Sequence, residues 1–177
     1  MPFVNLLLDD PTFLEFYVTA NKNTYAGGDA KAETLRNGGK RYVFYDGDRW
    51  PQWRHTNIYH GHNPFFGNEI VEETVRTMPP IPPAAWMPIA QMSYDGYAMG
   101  NHDRRKQMFA FLEKNLQEVC AQSLFRGNPE NAVRENGLEY VYKWERTGAF
   151  RVRGEIHIRA DARTHWCDLY FQCCALR

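Results

Sequence analysis

Phe13, Phe16, Tyr17 and Ala20 recur at helical spacing through DDPTFLEFYVTANKN. That spacing puts them on one face of a helix. Asp10 suits the cap of this helix and Pro11 its first position. A second and longer helical pattern runs through NHDRRKQMFAFLEKNLQEVCAQSLF, about residues 102–124. Phe109, Leu112, Leu116 and Val119 form its apolar stripe, and Arg104, Arg105, Lys114 and Glu118 fall off it. Elsewhere the period shortens to two, the signature of strands. KRYVFYDGDRW reads as a strand and an Asp46-Gly47 turn. WRHTNIYH, NEIVEETVRT and PIAQMSYDGY read as further strands, and the last forty residues as three more. In AFRVRGEIHI, Phe150, Val152, Ile156 and Ile158 point one way and Arg151, Arg153, Glu155 and His157 the other. That charged row is either a solvated sheet face or the lining of a pocket. Three stretches break the pattern. TYAGGDAK carries Gly27 and Gly28 but lacks the Gly-Lys-Ser/Thr ending of a phosphate loop. MPPIPPAAWMP is a stiff, extended connection. RGNPENAVRENG is a polar loop with room for one helical turn.

These elements predict an α+β fold: a curved antiparallel β-sheet with an N-terminal helix and one long helix packed on it. The 177 residues suit a single domain. Within it, FFGNEIV at 65–71 echoes VRGEIHI at 152–158. The echo suggests two similar β units, about 40–100 and 137–177, joined by the long helix.

Lys+Arg and Asp+Glu balance at 21 each. A nucleic-acid binder would carry a basic excess, and an anionic membrane surface would gain nothing from this chain. We therefore expect neither partner. Cys120, Cys167, Cys173 and Cys174 lack paired zinc spacing. MPFVNLLLDD is too short in its apolar run for a signal peptide. A cytoplasmic protein with free thiols is the expectation. Aromatic residues reach 15%, which suits a thick core and also the wall of a small-molecule pocket. A strand running to the C-terminus leaves room for a homodimer.

The chemistry concentrates in IYHGHNPFFGNE. His60 and His62 would share a face if the strand ran straight through them, and with Glu69 they would make a mixed metal set. Six residues separate His62 from Glu69, against three or four in the cupin pattern. Gly61 and His-Asn-Pro also signal a turn that would splay the histidines. No metal and no cofactor is therefore expected. Glu69 follows Pro-Phe-Phe-Gly; a carboxyl held against Phe65 and Phe66 would be desolvated and poised to move protons. The sequence thus nominates Glu69 as an acid–base residue assisted by His60, His62 and Tyr94. Tyr25, Tyr59, Trp86, Arg153, Glu155 and Tyr170 are nominated to bind substrate. One functional expectation is a cofactor-free enzyme of cyclisation, condensation or isomerisation type, in a Tyr/Trp/Glu/His-lined pocket. The other is a non-catalytic domain that binds or senses a small ligand.

Several of these pieces, in order, resemble the bacterial domain-of-unknown-function family numbered 5680. Thr24, Tyr25, Ala26 and Gly27 carry the first part of the resemblance. Tyr59 and Gly61 follow, then Phe65, Gly67 and Glu69, then Met92, Tyr94 and Gly96. Gly148, Phe150, Gly154, Glu155, Leu169 and Tyr170 close it. The resemblance spans residues 12 to 176. It implies no activity, but it implies a setting: such domains stand alone or follow helix-turn-helix domains in transcription regulators. Three positions depart from the pattern. Asn57 stands where an aspartate is usual, Gln172-Cys173-Cys174 replaces His-Gly-Gly, and His62 replaces a glycine pair.

Overall fold

A computed structural model describes residues 7–25, 30–74, 85–118, 133–148, 151–159 and 165–175. After a short 3-10 helix, Leu7–Asp9, helix α1 runs Pro11–Lys22. The Asp10 carboxylate caps it, accepting from the Thr12 backbone N–H at 2.8 Å. Phe13, Phe16, Tyr17 and Ala20 are all buried, as their spacing predicts. Phe13 meets the Trp53 ring edge-on at 5.5 Å. Phe16 packs against Trp50 at 5.7 Å and Trp53 at 5.4 Å. Each such phenylalanine contributes about 1.5–3 kcal/mol by leaving water. These contacts fix α1 on the sheet more firmly than helix propensity could.

Nine strands follow among the described residues. They are β1 (Glu33–Thr34), β2 (Lys40–Phe44), β3 (Trp53–Gly61), β4 (Phe65–Thr74), β5 (Trp86–Ala98), β6 (Val133–Glu135), β7 (Leu138–Gly148), β8 (Arg151–Arg159) and β9 (His165–Ala175). They form one antiparallel sheet in the order β1-β2-β3-β4-β5-β9-β8-β7-β6. Register shifts at Val71/Glu72, Arg146/Gly148 and Ile158/Arg159 interrupt the ladders. Bulges of this kind bend a sheet and increase its twist. Helix α2, His102–Gln117, stands between the two runs of strands. The α+β expectation holds.

Some expectations change in detail. The buried stripe of α2 is Met108, Phe111, Leu112, Asn115 and Leu116. Phe109 lies at its margin, because a helix advances 100° per residue and the stripe centres one position away. The polar segment before β7 contains β6 and a tight turn. Asn136 and Gly137 both take positive φ, 50° and 76°, which is the Asn-Gly hairpin turn. β9 lies between β5 and β8. Among the described residues the outermost strands of the sheet are β1 and β6. The proline-rich connection at 78–84, Gly27 and Gly28, Phe150 and residues 119–124 lie outside the described residues.

One sheet face is the core. Trp53, His55 and Asn57 of β3, Phe65, Gly67, Glu69 and Val71 of β4, and Met92 and Tyr94 of β5 are buried. Val152, Ile156 and Ile158 of β8 extend the buried cluster, which α1 and α2 also share. Among the described residues, the opposite face carries neither helix. No described helix is long and apolar enough to cross a membrane.

Candidate functional site

The residues nominated from sequence separate into three places. The first is inside the core. Glu69 is 2% exposed. Its Oε2 accepts the Tyr17 hydroxyl of α1 at 2.5 Å. Its Oε1 lies 3.5 Å from the Asn57 amide nitrogen, a long contact from β3. Tyr94 of β5 donates to Asn57 Oδ1 at 2.9 Å. His55 of β3 is fully buried, with Nε2 3.5 Å from Glu69 Oε2. Neither ring nitrogen of His55 makes a hydrogen bond among the described residues. A buried polar group without a partner costs about 1–3 kcal/mol. Glu69 and Tyr94 are thus brought together, as nominated.

Tyr17, His55 and Asn57 complete this cluster and were not nominated. A signal existed. In WRHTNIY, period two puts His55 and Asn57 on the face of Trp53. The environment expected for Glu69 is corrected in one respect. Phe65 shares its face, but Phe66 is 53% exposed on the other.

The histidines do not join Glu69. His60 points to the opposite face, where it stacks on Phe66 at 5.2 Å. Gly61 takes φ +77° and ends β3. His62 falls in the following turn, with its ring 5.5 Å from that of Phe109 on α2. The turn splays the pair, so His60, His62 and Glu69 do not converge. Among the described residues no three His, Cys, Asp or Glu side chains are grouped to hold a metal.

The second place is an aromatic group on the core side. Tyr25 stacks on Tyr59 at 5.2 Å and meets Tyr42 edge-on at 6.4 Å. Burial, then the neighbouring Tyr42, then Glu113 of α2 push the Tyr59 hydroxyl up to about 12. Tyr25 is driven higher still, mainly by burial. Burial also raises Glu113 above the usual carboxylate range. The folded state therefore favours the protonated acid. Glu113 weakens the fold as pH rises through the ordinary carboxylate range, and the penalty is complete above its raised pKa. Glu113→Gln is expected to raise the melting temperature at pH 7 and to leave it unchanged at pH 3. Thermal unfolding at the two pH values checks this.

The third place is the open face. Arg153, Glu155 and Tyr170 line a depression of about 690 Å³ on β5, β9, β8 and β7. Two rows cross these strands in register. One reads Ser93, Gln172, Arg153, Glu145; the other reads Asp95, Tyr170, Glu155, Lys143. Arg153 pairs with Glu145. Glu155 lies 3.7 Å from Lys143 and 3.2 Å from His157 Nε2. The charged face of β8 thus lines a concavity. Trp86 is not part of it. It sits at the far end of β5 under the Arg54 guanidinium, 4.6 Å away, and Arg54 is held by Glu72 at 2.7 Å.

An open antiparallel sheet with helices on one face and a polar depression on the other defines a one-sided α+β domain. The chain belongs to the family described as domain of unknown function DUF5680, whose model matches residues 57–172. The match begins within β3, so the likeness at Thr24–Gly27 lies outside it. No curated protein and no solved structure matches the chain.

Proposed function

We propose that the protein binds a small polar molecule in the depression on the open face of its sheet, as a ligand-binding or sensing domain. One observation carries this reading: three side chains nominated for binding, Arg153, Glu155 and Tyr170, meet in a concavity of about 690 Å³. That volume lies within the usual range for small-molecule sites. Paired charges around an aromatic ring supply the orienting polar groups such sites use. The cysteine usage fits a cytoplasmic setting.

The acid–base reading has its own support in the buried His55–Glu69–Tyr17 group, where a carboxyl and an imidazole stand 3.5 Å apart and the imidazole makes no hydrogen bond among the described residues. Space weighs against it. The void bounded by Phe13, Tyr17, Glu69, Val71 and Met92 is about 10 Å³, room for about one water molecule and not for a substrate. Chemistry there requires α1 to move off the sheet.

A thermal-shift screen of polar metabolites, with hits mapped by amide NMR, tests the proposal. A ligand at a hundred times its Kd stabilises by about 2.7 kcal/mol. Tyr170→Ala and Arg153→Ala are each expected to weaken the hits about tenfold, the effect of truncating one good contact in a site. Hits that ignore both variants and shift α1 and β4 amides would favour the acid–base reading instead.

A further inference from the structure

The ligand of this depression has a chemical class that its charges specify, and the inference rests on the binding reading above. Asp95, Glu145 and Glu155 face Lys143 and Arg153 across the four strands. Glu145 is taken by Arg153, and Glu155 by Lys143 and His157. Asp95 makes no hydrogen bond or ion pair among the described residues. It is exposed, and it stands directly opposite Tyr170 in the β5–β9 register. Tyr170 in turn stands opposite Glu155. Neighbouring strands are about 4.8 Å apart, so the two carboxylate-bearing positions lie roughly 10 Å apart with Tyr170 between them. Tyr170 is 45% exposed. Its ring stands nearly perpendicular to that of His157, with the centroids 6.3 Å apart.

We propose that the depression receives an organic cation, an amine or quaternary ammonium group, on Tyr170 with Asp95 as its counter-ion. An aromatic face attracts a cation through its quadrupole, and a carboxylate beside it adds a direct charge contact. Among the described lining residues, the charge left uncompensated is negative and belongs to Asp95. An anionic ligand would meet Arg153 and Lys143 with their charge already offset by Glu145 and Glu155, and would face the carboxylate of Asp95 as well. A cation breaks neither pair.

The probe is benzyltrimethylammonium, compared with benzoate and benzyl alcohol, each titrated into uniformly ¹⁵N-labelled protein and followed by amide NMR. The cation is expected to shift amides at 93–95, 153–155 and 170–172 and to saturate at lower concentration than the other two. Asp95→Asn is expected to weaken it about fivefold, the scale of one exposed charge contact. Glu33→Gln, the same loss of charge at the β1 edge where Glu33 pairs with Arg41, is expected to leave it unchanged. Asp95 is exposed, so its variant keeps the fold, and its own amide spectrum verifies that. Benzoate or benzyl alcohol binding these amides as tightly as the cation, or a cation indifferent to Asp95→Asn, overturns the ligand class and leaves the binding site standing. If all three probes leave these amides unmoved, and the metabolite screen finds no ligand there either, both the class and the site are wrong.

Discussion

Glu69→Ala is expected to cost about 3–5 kcal/mol of folding stability, the range for breaking a buried charged or hydrogen-bonded group by removing one partner. The loss has several parts. The Tyr17 hydroxyl loses its 2.5 Å acceptor. The Asn57 amide loses its contact at 3.5 Å, and His55 is left with no polar neighbour from β4. A cavity of side-chain size is added to a void that already exists beside Met92. For a chain of this length, 1 kcal/mol corresponds to about 2–4 °C in melting temperature, so a fall of about 6–20 °C is anticipated. Glu69→Gln keeps the shape and one acceptor oxygen, and a loss of about 1–2 kcal/mol is expected. Urea unfolding of the two variants measures both figures. A Glu69→Ala protein as stable as the wild type would mean that Tyr17, Asn57 and His55 are not organised around this carboxyl. The pair of variants also separates the two functional readings. Glu69→Gln stays folded, so it should bind ligands of the open face with unchanged affinity if that face is the site. An acid–base enzyme would bind and fail to turn over.

How far the sequence was legible follows from which physical signals are local. The α1 face was readable because its four apolar residues, its cap and its Pro11 all report on one helical turn after another. The strands were readable from alternation. What alternation cannot supply is the pairing of distant strands, and the site depends on pairing. Asn57 faces Glu69 only because β3 and β4 pair in the register Asn57↔Glu69. Tyr17 reaches the same carboxyl from a helix 52 positions earlier. His60 was misassigned because it is close to Glu69 in sequence but opposite in parity. The two glutamates of the internal echo part on the same ground. Glu69 lies two residues beyond Gly67 and so shares its buried face. Glu155 lies one residue beyond Gly154 and so falls on the open face. One glutamate became part of the core and the other part of the depression. The positions that depart from the family resemblance divide similarly: Asn57 sits in the core cluster, and Gln172 lines the depression.

Gly67→Ala is the second large effect, and it tests the same cluster from the backbone. Gly67 stands opposite Tyr94 in the β4–β5 register, and the tyrosine leans across it towards Asn57. A Cβ at Gly67 would lie 2.4 Å from the Tyr94 hydroxyl oxygen, 2.5 Å from its Cζ and 2.6 Å from the Ile58 carbonyl oxygen. The ring could swing away only by giving up its 2.9 Å bond to Asn57, and the carbonyl belongs to a paired strand. A loss of about 3 kcal/mol is expected, at the top of the range for overpacked cores. Gly38→Ala is the contrast. There the φ of +82° is strained but nothing lies within 4 Å, so the cost is about 1 kcal/mol. In a Tyr94→Ala background the Gly67→Ala penalty should shrink, because one of its two clashes is gone, while the Ile58 contact keeps it above zero. A double-mutant cycle by urea unfolding reads this coupling directly. Equal penalties in the two backgrounds would mean that Tyr94 does not lie over Gly67. The route from Tyr94 through Asn57 to Glu69 would then have to be redrawn.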